Sequence, residues 1–129
     1  MCSDTTIPSM EWTLLIVDDH AGFRQQARAL FGRGGYRVVG EASGVAAGVR
    51  TAAELRPDVV LLDVQLPDGD GFEAAARMLE VARPPAVVLI SSREAADYGG
   101  RIGASGARGF IPKADLSVRA LDALLEAEG

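Results

Sequence analysis

The sequence has little of several residue types, and each shortage excludes a class of structure or function. Cys2 is the only cysteine among the 129 residues and His20 the only histidine, which excludes an internal disulfide and a zinc site rich in cysteine or histidine. Lysine and arginine number 13 against 18 acidic residues, for a formal net charge of -5. This shortage of basic residues argues against direct nucleic-acid binding by the chain. No apolar run approaches the length that spans a bilayer, and we expect a reducing, cytoplasmic setting.

Length and apolar content predict one globular domain. A chain of 129 residues, 48% of them hydrophobic, can build one core and leaves no room for a second. Residues 1–11 have neither the basic start nor the apolar centre of a signal peptide, and Pro8 interrupts them. We predict a flexible tail over residues 1–11 and a single domain over residues 12–129.

Short apolar runs alternate with segments of helical periodicity along the domain. A run without polar alternation is typical of a strand buried on both faces, as in a parallel sheet covered by helices. In the third helix we expect Phe72, Ala76 and Leu79 to face the core. Residues 93–106 should form the fourth helix, although they contain four glycines. Alternating strands and helices predict an α/β fold with a doubly wound parallel sheet in the order 2-1-3-4-5. The five predicted strands are residues 13–17, 36–40, 59–63, 86–90 and 107–111.

Polar side chains stand where four neighbouring strands of that sheet end: Asp18 and Asp19, Asp63, Ser91 and Lys113. The carboxyl ends of parallel strands meet at one edge, so these side chains are predicted to converge. Neighbouring carboxylates repel one another by about 1 to 4 kcal/mol per pair at surface-like dielectric, so the cluster needs a counter-charge. Mg²⁺ suits an open site made of oxygen ligands. With that charge neutralised, Asp63 can attack a phosphorus centre while Ser91 hydrogen-bonds the oxyanion.

Four motifs resemble those of the receiver domain of two-component response regulators. They are IVDDH at residues 16–20, LLDVQLPDG at 61–69, LISS at 89–92 and GARGFIPK at 106–113. The resemblance covers about residues 12–127 and implies a flavodoxin-like receiver fold. It also implies that Asp63 accepts a phosphoryl group from a sensor histidine kinase. Mg²⁺ would then be held by Asp18 or Asp19, by Asp63 and by the backbone carbonyl of Gln65.

The same resemblance implies how a phosphoryl signal leaves the domain. Ser91 would move toward the phosphate, Lys113 would pair with it, and Phe110 stands where the family has an aromatic switch residue. The output surface would be formed by the fourth helix, the fifth strand and the last helix, as a homodimer contact or a contact with a downstream protein. Such a domain catalyses only its own phosphorylation and dephosphorylation and is not otherwise an enzyme. Whether it stands alone or precedes a helix-turn-helix output domain is left open.

These residues also allow other interpretations. Asp63 alone could simply end a strand and start a turn, and Asp19 could be only a helix N-cap. His20 is predicted to be a solvated turn residue. A flavodoxin-like cofactor-binding module would place a phosphate cradle rich in Ser, Thr or Gly where Asp18 and Asp19 stand. A non-phosphorylated interaction module would be expected to lack one of the site residues, and all are present. A phosphatase with an Asp nucleophile would carry a second acid at position 65, where this chain has Gln65.

Overall fold

A parallel five-stranded sheet organises the computed structural model, which describes residues 12–126. Its strands lie in the order β2-β1-β3-β4-β5, and every neighbouring pair is parallel. The predicted order 2-1-3-4-5 is therefore confirmed. The strands are β1 Thr13–Val17, β2 Arg37–Ala42, β3 Val59–Asp63, β4 Ala86–Ser91 and β5 Gly109–Pro112. The predicted tail, residues 1–11, lies outside the described residues.

Helices cover both faces of this sheet. One face carries α1 and α5, and the other carries α2, α3 and α4. No helix within residues 12–126 is long and apolar enough to cross a lipid bilayer. The helices are α1 Ala21–Arg33, α2 Val45–Leu55, α3 Gly71–Met78, α4 Arg101–Ala104 and α5 Val118–Glu126, and 3₁₀ turns occupy Ala95–Tyr98 and Lys113–Asp115.

The central strand β3 owes its position to its uninterrupted apolar sequence. Val59, Val60, Leu61 and Leu62 are fully buried. Alternate residues point to opposite faces of a strand, so Val59 and Leu61 join the core under α1 and α5. Val60 and Leu62 join the core under α2 and α3. Asp63 ends this strand and is itself almost completely buried.

The loop after β3 is tied to α2 by a carboxylate. Gly44 at the N-cap of α2 has no side chain to offer, and the carboxylate of Asp68 accepts the backbone N–H groups of Val45 at 2.6 Å and Ala46 at 3.1 Å instead. These hydrogen bonds hold the pKa of Asp68 below its usual value. An acidic side chain at a helix N-terminus is favoured because unpaired N–H groups point there. The connection after β3 is therefore anchored to a neighbouring helix.

Helix α3 faces the core as expected at two of the three predicted positions. Of the predicted inward residues, Phe72 and Leu79 pack against the core, whereas Ala76 is exposed. The fully buried positions of the helix include Ala74, Ala75 and Met78. The N-cap fixes where this helix begins, since Asp70 accepts the backbone N–H of Glu73 at 2.9 Å. The prediction was wrong for Ala76, because alanine occurs at Ala74, Ala75 and Ala76 and residue type alone does not say which of the three faces the core.

The segment between β4 and β5 forms two short pieces instead of one helix. The 3₁₀ turn Ala95–Tyr98 and the four-residue α4 are separated by Gly99 and Gly100. Gly99 has φ of 58°, a conformation that L side chains rarely adopt. A continuous fourth helix over residues 93–106 was therefore not formed, and β5 begins at Gly109, two residues later than predicted.

Candidate functional site

Two buried carboxylates lie at the ends of adjacent strands. Strands β1 and β3 pair with Val17 opposite Leu62. Asp18 and Asp63 are the next residues along these two strands, so they lie side by side. Asp18 is fully buried and Asp63 is 3% exposed. A Cβ atom added at Gly71 would collide with the backbone oxygen of Asp63. The start of α3 therefore packs directly against this strand end, which only glycine permits.

Lys113 is the counter-charge to these two acids. Its Nζ lies 2.6 Å from Asp18 Oδ2 and 3.4 Å from Asp63 Oδ2, and 4.4 Å from the centre of the Phe23 ring. Burial lowers the pKa of Lys113, but the nearby carboxylates of Asp18 and Asp63 outweigh burial and raise the pKa above its usual value. The ammonium group therefore stays charged. One positive charge faces two buried negative charges, so the site retains an excess of negative charge.

Burial dominates the ionisation of Asp63. Burial, followed by the charge of Asp18, raises the pKa of Asp63, and the net result of all its contacts is a shift from 3.8 to about 6. Lys113 and the backbone N–H of Gln65, which donates to Asp63 Oδ1 at 3.2 Å, act in the opposite direction. A carboxylate that gives up most of its water shell in this way is a poorly solvated nucleophile that is still mainly ionised at neutral pH.

His20 belongs to the acidic cluster, which the sequence interpretation missed. Its Nδ1 lies 3.2 Å from Asp18 Oδ1 and 3.1 Å from Asp19 Oδ1, while its side chain is 71% exposed. The backbone N–H of His20 also donates to Asp18 Oδ1 at 2.8 Å. Its position directly after two acids, at the N-cap of α1, was the available signal. The expected solvated turn residue is thus exposed but also contacts both carboxylates.

These residues fit a divalent metal ion. Ligand atoms of Asp18, Asp19, His20 and Asp63 lie within 4.8 Å of one another. Within residues 12–126, no hydrogen-bond donor is aligned on Asp18 Oδ2, although Lys113 Nζ forms an ion pair with it. Carboxylate oxygens around an incompletely neutralised, solvent-accessible site are the ligands that Mg²⁺ takes in proteins. The three predicted acidic ligands are therefore together, with His20 beside them.

An open cleft of about 280 Å³ gives access to this cluster. Asp63, Lys113 and Gln65 line it together with Asp19 and His20. Ser91 is the last residue of β4, and Ser92, which follows it, lines the cleft. Ser91, the predicted switch residue, is fully buried. Its Oγ accepts the backbone N–H of Arg93 at 3.0 Å and lies 2.6 Å from the hydroxyl oxygen of Tyr98.

An aromatic chain extends from Tyr98 away from the cleft. The Tyr98 ring packs edge to face against Phe72 and Phe110, with ring centroids 5.6 Å and 5.8 Å apart. Phe110 is half-buried against the same core. Tyr98 was not singled out from the sequence, because a tyrosine seven residues beyond Ser91 in a glycine-rich segment carries no motif. Its contact with Ser91 depends on how the turn Ala95–Tyr98 folds back.

Comparison with known proteins agrees with this arrangement. The family model described as "Response regulator receiver domain" matches residues 14–125. A putative transcriptional regulator of Pseudomonas aeruginosa is 36% identical over 100 residues, and the BvgA transcription regulator of Bordetella pertussis is 34% identical over 100 residues. Each match covers 78% of this chain and 48% of the relative. The chain thus spans about half the length of these relatives.

Solved structures agree with the same assignment. A LuxR-family two-component response regulator from Aurantimonas sp. SI85-9A1 superposes with a TM-score of 0.82 and 29% identity, covering 91% of this chain and 86% of that one. The signal receiver domain of NarL from Mycobacterium tuberculosis gives a TM-score of 0.77 and 33% identity, covering 88% and 96%. The fold is the flavodoxin-like receiver fold. The chain belongs to the response regulator receiver domain family.

Proposed function

We propose that the chain is a phosphoacceptor of a two-component system, in which a sensor histidine kinase supplies a phosphoryl group to Asp63. The observation that carries this proposal is the position of Asp63 in the cleft. Its carboxylate ends the central strand, is almost fully buried, and lies beside Asp18 and Lys113. An ionised, poorly solvated carboxylate with a nearby ammonium group suits attack on a phosphorus centre.

The transfer forms one bond and breaks another. A lone pair on a carboxylate oxygen of Asp63 forms the new O–P bond, and the N–P bond of the donor phosphohistidine breaks with its electron pair returning to the imidazole. Lys113 keeps its charge and offsets charge on the transferred phosphoryl oxygens. A bound Mg²⁺ would supply further neutralisation of those oxygens. Asp18, Asp19 and Asp63 would hold it, and the carbonyl of Gln65 is the remaining proposed ligand.

The proposed output surface is formed by α4, β5 and α5. Phe110 on β5 packs against Tyr98, so a movement at Ser91 has a packed route to that surface. Relatives at 34 to 36% identity carry the names of transcription regulators. We therefore include a role in transcriptional control, through a second copy of the chain or a downstream output protein and not through direct nucleic-acid binding by these residues. A donor kinase charged by ATP would meet the chain in the cytoplasm.

A labelling experiment tests the phosphoacceptor role. The protein is incubated with Mg²⁺ and phosphoramidate, which has an N–P bond like that of phosphohistidine, and the intact mass is followed. We expect one added phosphoryl group, none in Asp63→Asn, and unchanged labelling in Asp68→Asn, which alters a nearby acid outside the cleft. Full labelling of Asp63→Asn would refute the assignment. Absence of labelling in the native protein would favour the interaction-module alternative. We expect no turnover of other substrates.

A further inference from the structure

The hydroxyl group of Ser91 is already engaged by two partners. Its Oγ accepts the Arg93 N–H and shares a 2.6 Å hydrogen bond with the Tyr98 hydroxyl, in which either oxygen can be the donor. A serine hydroxyl has one proton to donate and two lone pairs to accept with. If Ser91 donates to Tyr98, it has no proton left for a phosphoryl oxygen. If Tyr98 donates, both lone pairs of Ser91 are used and its orientation is held.

Tyr98 is itself held by aromatic packing. Its half-buried ring lies between Phe72 of α3 and Phe110 of β5. The guanidinium carbon of Arg101 lies 4.3 Å from the centre of the Phe72 ring, and Arg101 also pairs with Asp70 at 3.2 Å. Edge-to-face aromatic pairs favour one ring orientation over others. The hydroxyl of Tyr98 is therefore kept at Ser91 by contacts with α3 and β5.

We propose that Tyr98 is a positioning residue for the phosphoryl switch: its hydroxyl holds the Ser91 hydroxyl away from the cleft and must release it before Ser91 can contact phosphorylated Asp63. This inference rests on the proposed phosphoacceptor function. The positions of the two serines agree with it, since Ser91 is fully buried while Ser92 lines the cleft. In this scheme the hydrogen bond with Tyr98 favours the unphosphorylated state.

Release of Ser91 has a consequence for the turn that carries Tyr98. The half-buried Tyr98 hydroxyl loses its partner, and an unpaired polar group in such a place costs free energy until it finds water or another partner. The turn Ala95–Tyr98 ends at Gly99, where φ is 58° and no atom lies within 4 Å of a Cβ position. Tyr98 can therefore swing outward at Gly99, which moves the ring that packs on Phe110.

A titration with beryllofluoride and Mg²⁺, a mimic of the phosphoryl group, tests this proposal. Dissociation constants are measured by calorimetry for the native protein, Tyr98→Phe, Ser91→Ala and the double variant. We expect Tyr98→Phe to bind about two- to tenfold more tightly, the range that one neutral hydrogen bond is worth. Ser91→Ala should bind more weakly than the native protein. In the Ser91→Ala background, Tyr98→Phe should make no further difference, since the bond it removes is absent.

Tyr36→Phe is the matched control. It removes the hydroxyl of the other tyrosine in the described residues, which hydrogen-bonds Asp122 on the opposite face of the sheet, and should leave the dissociation constant unchanged. Unchanged or weaker binding of beryllofluoride by Tyr98→Phe would refute the positioning role. An equal increase in affinity when Tyr98→Phe is added to Ser91→Ala would also refute it. The phosphoacceptor function would survive both results if Asp63→Asn still abolished labelling. A native protein that is neither labelled by phosphoramidate nor binds the mimic would overturn both.

Discussion

Replacing Asp63 by Asn should stabilise the protein, although it removes the proposed phosphoacceptor. The side chain of Asp63 is 5% exposed and faces the fully buried carboxylate of Asp18, and Lys113 offsets only part of the resulting repulsion. The amide is nearly isosteric with the carboxylate and carries no charge. The substitution thus removes the cost of burying a second charge while leaving the ion pair between Lys113 and Asp18.

The magnitude follows from the pKa of Asp63. Burial, together with Asp18, raises this pKa from 3.8 to about 6. One pKa unit corresponds to 1.36 kcal/mol, so the ionised group disfavours the folded state by up to about 3 kcal/mol. Part of this stabilisation is lost because the amide nitrogen, unlike a carboxylate oxygen, cannot accept a hydrogen bond. We expect a net stabilisation of about 1 to 3 kcal/mol. For a domain of this size, each kcal/mol raises the melting temperature by about 4 °C.

The pH dependence of the stabilisation by Asp63→Asn distinguishes an electrostatic cause from a packing cause. The pKa of Asp63 is higher in the folded protein than in the unfolded chain, so the ionisation penalty is absent below about pH 3.8 and complete above about pH 6. The advantage of Asp63→Asn should therefore be small near pH 4 and largest at pH 7. Urea unfolding at both pH values, with EDTA present to remove metal ions, measures it.

An equal increase in the stability of Asp63→Asn at pH 4 and pH 7 would refute the electrostatic reasoning, because the cause would then be packing. A loss of stability at pH 7 would show that attraction by Lys113 exceeds the cost of burial. Asp68→Asn is the opposing control. Its carboxylate accepts backbone N–H groups at the start of α2, and the pKa of Asp68 is held low by them. That substitution should destabilise the protein.

Further predictions concern the metal, a surface ion pair and α4. Mg²⁺ at a hundredfold excess over its dissociation constant should stabilise the native protein by about 2.7 kcal/mol, which a rise in melting temperature would report. The melting temperature of a variant with Asp18→Ala and Asp19→Ala should not respond to Mg²⁺. Glu41→Gln should cost about 0.5 to 1 kcal/mol near neutral pH. Hydrogen bonding by Arg28 lowers the pKa of Glu41, so this cost should disappear in urea titrations as the pH falls below about 4.5. Hydrogen exchange should show low amide protection in α4. Gly103→Ala should increase that protection, because the Cβ position at Gly103 is open space and alanine is favoured over glycine in a helix by about 0.5 to 1 kcal/mol.

The sheet could be predicted from sequence because its signals are local and redundant. The strands β1 and β3 contain apolar residues at four or more successive positions and are buried on both faces. The polar residue that ends each strand was visible in the sequence, and parallel topology brings such ends to one edge. The convergence of Asp18, Asp63 and Lys113 followed from the strand order alone. Their distances and ionisation required the folded coordinates.

Contacts that depend on loop paths could not be predicted in this way. Tyr98 reaches Ser91 only because the turn Ala95–Tyr98 folds back over the end of β4. His20 reaches two carboxylates because it occupies the N-cap of α1 in an extended conformation. Neither contact follows from residue type or from periodicity. Both lie at positions where a helix begins or a turn ends, where side-chain direction changes sharply between neighbouring residues.

The predicted continuous helix over residues 93–106 does not form, and the physical reason also underlies the proposed role of this segment. Glycine costs a helix interior about 1 kcal/mol relative to alanine, and Gly99, Gly100 and Gly103 together remove most of the intrinsic preference for helix between β4 and β5. A segment with little preference takes its conformation from tertiary contacts, here the packing of Tyr98 between Phe72 and Phe110. Changing one such contact, the hydrogen bond with Ser91, can then shift its conformation, because no strong local preference opposes the shift.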